Sequence, residues 1–237
     1  MSSFSGRVTV VTGATSGIGK AIALRLSQAG AKVFALGRDT GRLAELSRST
    51  PALFAHACDV TREDSVAAAF AACRERCGPV AMLVNNAGVG LPTPDLGESR
   101  VELLDRMFET HVRGSFLCAR EALRDMRAAG RGHILNVISA AGKKANPTAP
   151  LYCASKFGQR GFSAGLAEQL LPLGIKVTDL NPAATDTGYW GDRPAPREKF
   201  LKAGDVAEAA LFILGQPEHV LIRELDMESM LMSRRTS

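Results

Sequence analysis

The sequence predicts an α/β domain built on a doubly wound parallel sheet of about seven strands, with helices on both faces. Three observations carry this reading. Short β-branched runs alternate with amphipathic stretches along the chain, the order that crossover units require. The runs are apolar at successive positions, as at Ile134, Leu135, Val137 and Ile138, which suits a sheet covered on both sides. A glycine-rich turn joins the first run to the first amphipathic stretch, and no linker, repeat or low-complexity tract interrupts the alternation.

Taken in order, Arg7–Val11 opens as a β-branched run and feeds the turn Thr12-Gly13-Ala14-Thr15-Ser16-Gly17-Ile18-Gly19, after which Ile18–Ala29 has helical amphipathicity. Lys32–Leu36 is the second strand, Arg42–Ser47 the next helical piece, Leu53–Ala57 the third strand and Glu63–Arg76 the next helix. Met82–Asn85 is a short apolar strand. Val101–Ala129 reads as one long helix before the strand His133–Ile138. Leu151–Leu171 is a helix opened by Pro150, a residue suited to the first turn. Lys176–Leu180, the helix Val206–Leu214 and Val220–Leu225 complete the pattern. Asn181–Arg197 is the longest irregular stretch, and a loop of that length in a compact domain is usually functional. Residues 1–237 are read as one domain, with a lid near 187–203.

Composition narrows the function. The chain has 237 residues, 46% hydrophobic and 22% charged, enough for a core without disulfide or metal staples. No apolar run reaches the 18 residues of a spanning helix, and Met1–Arg7 lacks the apolar centre of a signal peptide. The five cysteines are an odd number. Cys73 and Cys77 lie one helical turn apart without a histidine to complete a zinc set, so reduced thiols in a cytoplasmic setting, and no metal, are expected. The net charge is +5, but basic residues are scattered, with doublets only at Lys143–Lys144 and Arg234–Arg235, and aromatics are 5%. A nucleic-acid surface needs more clustering and more rings, so the charge is read toward an anionic cofactor.

The first turn suits such a ligand. Its glycines let backbone approach a pyrophosphate, the following helix presents N–H groups, and Thr15 and Ser16 add hydroxyls. After the second strand, Gly37 offers no carboxylate and Arg38 a permanent cation, which favours NADP over NAD; Asp39 is a competing carboxylate beside it. Tyr152 and Lys156 stand at i and i+4 on one helical face, where an ammonium lowers a phenol's pKa from about 10. That makes Tyr152 a candidate acid/base. Ser139 follows the fifth strand, at the end where parallel-sheet sites open.

From Arg7 to about Asp226 these motifs resemble the short-chain dehydrogenase/reductase family: Thr12–Gly19, Asp59-Val60, Asn85-Asn86-Ala87-Gly88, Ser139, Tyr152-Cys153-Ala154-Ser155-Lys156, and Asn181-Pro182 leading to Thr187. The resemblance implies a Rossmann-like fold and a hydride transfer between NADP and a carbonyl or secondary alcohol. It implies that Gly13, Thr15, Ser16, Ile18 and Gly19 line the pyrophosphate and ribose, and that Asp59 and Val60 meet the adenine. Asn86, Ala87 and Gly88 would pass behind the adenine ribose. Tyr152 would move the proton, Lys156 hold the nicotinamide ribose, Ser139 hold the substrate oxygen, and Pro182, Thr185 and Thr187 place the carboxamide. Family members commonly form homodimers or homotetramers through long helices. Three positions depart from the pattern. His111 stands where an Asn usually supports a proton relay, Ala183 replaces a Gly, and Ile138 replaces a Ser. A His titrates near neutrality, so altered pH dependence, an impaired relay and a tolerated polar replacement all stay open. The alternatives are a 3-oxoacyl-thioester reductase and a catalytically weak NADP-binding regulator. Tyr189 and Trp190 in the lid suit an apolar or ring-bearing substrate, and Lys143 and Lys144 could face an anionic group.

Overall fold

The computed structural model describes residues 4–90, 93 and 95–233. Arg234–Arg235 lies outside them. The strands are β1 Val8–Thr12, β2 Lys32–Gly37, β3 Leu53–Ala57, β4 Met82–Asn85, β5 Gly132–Val137, β6 Ile175–Pro182, β7 Thr185–Asp186, β8 Leu201–Lys202 and β9 Glu224–Met227. The helices are α1 Gly17–Gln28, α2 Thr40–Arg48, α3 Glu63–Cys77, α4 Val101–Phe108, α5 Gly114–Ala129, α6 Pro150–Leu170, α7 Ala203–Leu214 and the short α8 Met230–Ser233. Seven strands form one parallel sheet in the order β3-β2-β1-β4-β5-β6-β9, and β7 and β8 make a separate parallel pair. This is the doubly wound, Rossmann-like architecture.

Alternation along the buried strands splits the core into two layers. Val10, Phe34, Leu83 and Ile134 face Val66, Phe70, Leu117 and Leu166 of α3, α5 and α6. Val11, Val33, Val84 and Leu135 face Ile22, Leu26, Val206 and Ile213 of α1 and α7. Chain direction across the sheet reverses between β1 and β4, so the crevice opens where the C-terminal ends of these central strands part. All five cysteines are free and buried, packed as small hydrophobes.

Three expectations change. The stretch 101–129 is helical throughout, as expected, but a π-turn at Glu109–Arg113 interrupts its α geometry between α4 and α5. The wider turn drives His111 fully inside, and two backbone carbonyls there accept side-chain hydroxyls, Arg106 from Thr110 (2.8 Å) and His111 from Ser115 (2.7 Å). The last strand is Glu224–Met227 rather than 220–225. Side chains of β6 capture the preceding carbonyls: Lys176 Nζ reaches Val220 O at 2.6 Å and Thr178 Oγ1 reaches Ile222 O at 2.6 Å. The stretch 181–197 is more ordered than a loop, since β6 runs on to Pro182, β7 pairs with β8, and a 3-10 turn covers Gly188–Trp190.

Candidate active site

The first turn is tightened by contacts that only glycine permits. Gly13 (φ +64°) and Gly17 (φ +52°) lie in the left-handed region. A Cβ on Gly19 would stand 2.3 Å from Asn86 Nδ2 and 2.4 Å from Gly13 O. Asn86 Nδ2 donates to Thr12 O (3.0 Å) and Gly13 O (3.3 Å), and Thr12 Oγ1 accepts from the N–H groups of Asn86 and Ala87, both at 3.0 Å. The turn after β1 is thus locked to the turn after β4. Ser16 is the N-cap of α1, yet its hydroxyl makes no capping bond. The uncapped first turn of α1 and this hydroxyl line the crevice, the arrangement that receives an anion.

The crevice holds about 920 Å³. Of the residues expected from sequence, Gly13, Thr15, Ser16, Ile18, Arg38, Asp59, Val60, Asn86, Ala87, Gly88, His111, Ser139, Tyr152, Lys156, Pro182, Thr185 and Thr187 line it together. Gly19 lies beneath the wall rather than on it. At the β2 end, a Cβ on Gly37 would fall 2.5 Å from Thr15 Cγ2, so Thr15 excludes a longer side chain there. Arg38 is exposed at the rim. Asp39 does not compete for ligand: it caps α2 by accepting from Arg42 N at 3.0 Å and pairs with the Arg42 guanidinium at 3.3 Å. Burial alone raises the Asp59 carboxyl, but hydrogen bonds from Thr61 N–H and hydroxyl, with the charges of Arg38 and Arg62, outweigh it and hold Asp59 below its ordinary value.

At the other end, Tyr152 lines the crevice with Ser139 and Tyr189, its ring 5.9 Å from the Tyr189 ring. Tyr152 is partly buried at the crevice wall. Burial pushes the phenol well above its ordinary value, reinforced by Tyr189 and opposed by the nearby Ser139 hydroxyl. This reverses the expectation of a lowered phenol. The Lys156 ammonium is 5.9 Å from the Tyr152 ring centroid and spends its donors elsewhere, on Gln159 Oε1 (2.8 Å) and Val137 O (3.4 Å). Burial lowers Lys156 to about 7, and no carboxylate offsets that loss of solvation.

His111 packs edge-on against Tyr152, with ring centroids 5.6 Å apart. Its Nε2 accepts from Val89 N at 3.1 Å, which leaves the proton on Nδ1, 2.8 Å from Ser155 Oγ; that hydroxyl donates on to Tyr152 O at 2.8 Å. Burial, then the charge of Lys156, holds the imidazole well below its ordinary value, hence neutral. Both ring nitrogens are engaged away from Lys156, so the expectation of a titrating His111 feeding a relay gives way to a neutral ring that ties the π-turn to α6 and the 86–89 loop. Ala183 carries no backbone strain, since no described non-glycine residue has a positive φ. Lys143 is paired with Glu224 (2.7 Å) and Asp226 (2.8 Å), and Lys144 with Glu228 (2.7 Å). Lys144 lines the crevice and Lys143 does not.

Sequence reasoning missed Gln159. It is buried, and its Nε2 passes the contact from Lys156 to Ser115 Oγ at 2.9 Å. The signal was present: Gln159 is one helical turn beyond Lys156, on the face shared with Tyr152. Among the described residues no helix is long and apolar enough to cross a membrane, and no three His, Cys, Asp or Glu side chains gather as a metal site.

Residues 7–198 match the family model described as short chain dehydrogenase. An oxidoreductase of Staphylococcus saprophyticus is 34% identical over 224 residues, covering 92% of this chain and 95% of its own. One of Staphylococcus aureus is 30% identical over 227 residues, covering 95% and 98%. Among solved structures, a 3-ketoacyl-(acyl-carrier-protein) reductase from Brucella melitensis complexed with NADH superposes with a TM-score of 0.88 at 32% identity, over 94% of this chain and 97% of that one. An alcohol dehydrogenase from the archaeon Thermococcus sibiricus complexed with 5-hydroxy-NADP superposes at 0.87 and 29% identity, over 98% and 99%. A locked glycine turn, a Tyr–Lys helix face and a serine at the end of β5, in one crevice and along one matching length of chain, place this protein in the short-chain dehydrogenase family of oxidoreductases.

Proposed function

We propose that the protein is an NADP-dependent carbonyl reductase, equally an alcohol dehydrogenase in reverse. The observation that carries this is that Ser139, Tyr152 and Lys156 line one end of a crevice whose other end is the glycine cradle and Arg38. The cradle fits a dinucleotide, because its close contacts leave backbone N–H groups with no side chains over them. Solved relatives carry NADH, NADP and 5-hydroxy-NADP. NADP is favoured over NAD by Arg38 beside a Gly37 that Thr15 keeps free of a carboxylate.

NADPH, when bound, supplies a hydride to the carbonyl carbon. Ser139 donates a hydrogen bond to the carbonyl oxygen and Tyr152 gives that oxygen its proton, so the product is an alcohol and Tyr152 is left as phenolate until solvent reprotonates it. A raised phenol holds its proton at neutral pH, which suits Tyr152 as the acid in reduction. Lys156 binds the nicotinamide ribose and its charge steadies the phenolate. The likeness to a 3-ketoacyl-(acyl-carrier-protein) reductase favours a second reading, reduction of a 3-oxoacyl thioester. The whole chain acts as one domain with residues 187–203 as its lid. It works in the cytoplasm, in keeping with buried free thiols, and assembles as a homodimer or homotetramer through the α5–α6 face, where Phe116 and Phe157 are exposed.

The test is NADPH oxidation across a carbonyl panel that includes a 3-oxoacyl thioester. Turnover of simple ketones or aldehydes supports the first reading, and turnover confined to the thioester supports the second. NADPH binding without any turnover would make the protein a regulator instead.

A further inference from the structure

The two ends of the crevice differ in charge. Among the described residues that line it, the one carboxylate is Asp59, close to the glycine cradle and Arg38. The end around Ser139 and Tyr152 is lined by the cations Lys144, Lys156 and Arg193 and by no carboxylate. Lys156 spends its donors inside the fold, on Gln159 Oε1 and Val137 O. Arg193 is half-buried in the lid, and no described carboxylate pairs with it. Its Nε donates to Trp190 O at 2.9 Å and its Nη2 to Tyr189 O. Its guanidinium carbon lies 4.9 Å from the Tyr189 ring centroid and 5.2 Å from that of Trp190. These contacts fix the position of the charge without cancelling it, since carbonyls and ring faces carry no full negative charge. A cation that has lost part of its solvent and gained no counter-charge attracts an anion more strongly than one in open water. It also stands near the reacting group: Arg193 covers the Tyr189 ring, and that ring lies 5.9 Å from the ring of Tyr152. Lys144 reaches the same end from the segment after Ser139, its carbonyl 4.0 Å from the Sγ of Cys153, the neighbour of Tyr152. Its bond to Glu228 joins two exposed side chains, a pair weak enough to be exchanged for a ligand.

We propose that the substrate is an anionic ketone, a carbonyl compound with a carboxylate or phosphate on an arm, and that Arg193, with Lys144, holds that group while the carbonyl meets Tyr152. Such a substrate supplies the counter-charge that Arg193 lacks, and a neutral one leaves it unmatched. The arm is short, because one ring separates the guanidinium from Tyr152; a spacer of three carbons has about that span. This inference rests on the reductase reading for the carbonyl but not for its test.

The probes are 5-oxohexanoate, 4-oxopentyl phosphate and the neutral 5-oxohexanamide, with binding read by calorimetry. In the wild type the anions are expected to bind about tenfold more tightly than the amide or better, the equivalent of one charge-assisted contact, and the tighter of the two names the group. Arg193→Gln should remove most of that preference and Lys144→Gln a smaller part, while Arg193→Lys keeps the charge and should restore part of what Arg193→Gln loses. Equal affinity for anion and amide in the wild type overturns the proposal. So does a preference that survives Arg193→Gln, since the anion would then be seated elsewhere, in the glycine cradle for instance. Arg193→Lys behaving as Arg193→Gln would make the effect one of lid packing, and an equally large loss of NADPH affinity in Arg193→Gln would assign the guanidinium to the cofactor; either result overturns it too. Should Arg193→Gln fail to fold, raising salt from about 0.02 to about 0.5 M in the wild type should weaken the anions and spare the amide, and anion binding that ignores salt defeats the idea. All readings are of binding, so a protein that reduces no carbonyl defeats the reductase reading while these affinities still decide the anion seat.

Discussion

At the scale of single residues, the chemistry is set by what burial does to two neighbours. Tyr152 is pushed up and keeps its proton, and Lys156 is brought down to about 7. Removing the phenolic hydroxyl by Tyr152→Phe is expected to lower reduction roughly 10²–10⁴-fold, the usual share of a general acid. NADPH affinity, measured by fluorescence titration, should stay nearly unchanged, and retention of turnover would remove Tyr152 from the mechanism. Lys156 supports the phenolate only while charged, so kcat for reduction should fall as pH rises through about 7. Gln159 supplies its one side-chain acceptor. Gln159→Glu puts a carboxylate there, favours the ammonium and should move that midpoint upward; Gln159→Leu removes the acceptor and should move it downward. A pH–rate profile checks both, and a midpoint that ignores position 159 would break the link. The i, i+4 pair was legible in the sequence because helical spacing alone brings Tyr152 and Lys156 to one face. The direction of the phenol's shift was not, because it depends on how far α6 is sunk against β5, a property of packing rather than spacing.

At the scale of elements, two turns do most of the positioning. The turn after β2 was readable because Gly37 and Arg38 are adjacent to a predicted strand end. The contact of Thr15 with Gly37, which keeps that position bare, needed the fold. Replacing Arg38 by Asp removes a cation from the rim and adds a charge that repels a 2′-phosphate and accepts from a 2′-hydroxyl. The ratio of kcat/KM for NADPH over NADH should fall by at least about tenfold, the equivalent of one charge-assisted contact. An unchanged ratio would take away the argument for NADP. The π-turn between α4 and α5 was invisible, because the apolar pattern of 101–129 continues through it. Gly114 closes the π-turn, but a lone glycine within a helical pattern does not announce a wider turn. His111 holds that turn through Val89 N and Ser155 Oγ. His111→Ala strands both partners and opens a cavity, and is expected to cost about 2 kcal/mol or more of stability, seen as a lower Tm. His111→Asn shortens the side chain but keeps a donor and an acceptor, so it should recover part of the loss. Equal Tm for all three proteins would show that the ring carries no structural load.

For the molecule as a whole, stability against pH is governed by buried polar groups between the sheet and α6, and they pull in opposite directions. His133 in β5 is neutral: it donates from Nε2 to Thr178 Oγ1 at 2.9 Å, while that hydroxyl donates to Ile222 O. Burial lowers it to about 3 from an ordinary value of 6.5. Below pH 6.5 the unfolded imidazole takes up a proton that the folded one refuses, so stability is full above that pH and is lost as pH falls toward 3, by up to the order of 4 kcal/mol. Asp179 in β6 accepts from Ser163, whose Oγ also accepts from Asn136 Nδ2 at 2.8 Å; burial raises its carboxyl from 3.8 to about 6. Its contribution has the other sign. It is fully present below pH 3.8 and is lost as pH rises through 6, because the unfolded carboxyl ionises first, at a cost of the order of 3 kcal/mol. Buried His111, also held well below its ordinary value, adds to the His133 loss on acidification, so Asp179 offsets only part of it and the wild-type Tm should fall between pH 6.5 and 4. His133→Gln keeps a donor for Thr178 and cannot charge, so its Tm should fall much less than the wild type's on acidification, with Asp179 now set against His111 alone. Asp179→Asn keeps an acceptor for Ser163 and cannot ionise, so its Tm should drop steeply over the same interval while exceeding the wild type at pH 7.5. Thermal melts at half-unit steps read the slopes directly. Parallel curves for the three proteins would mean that neither buried group titrates differently on unfolding.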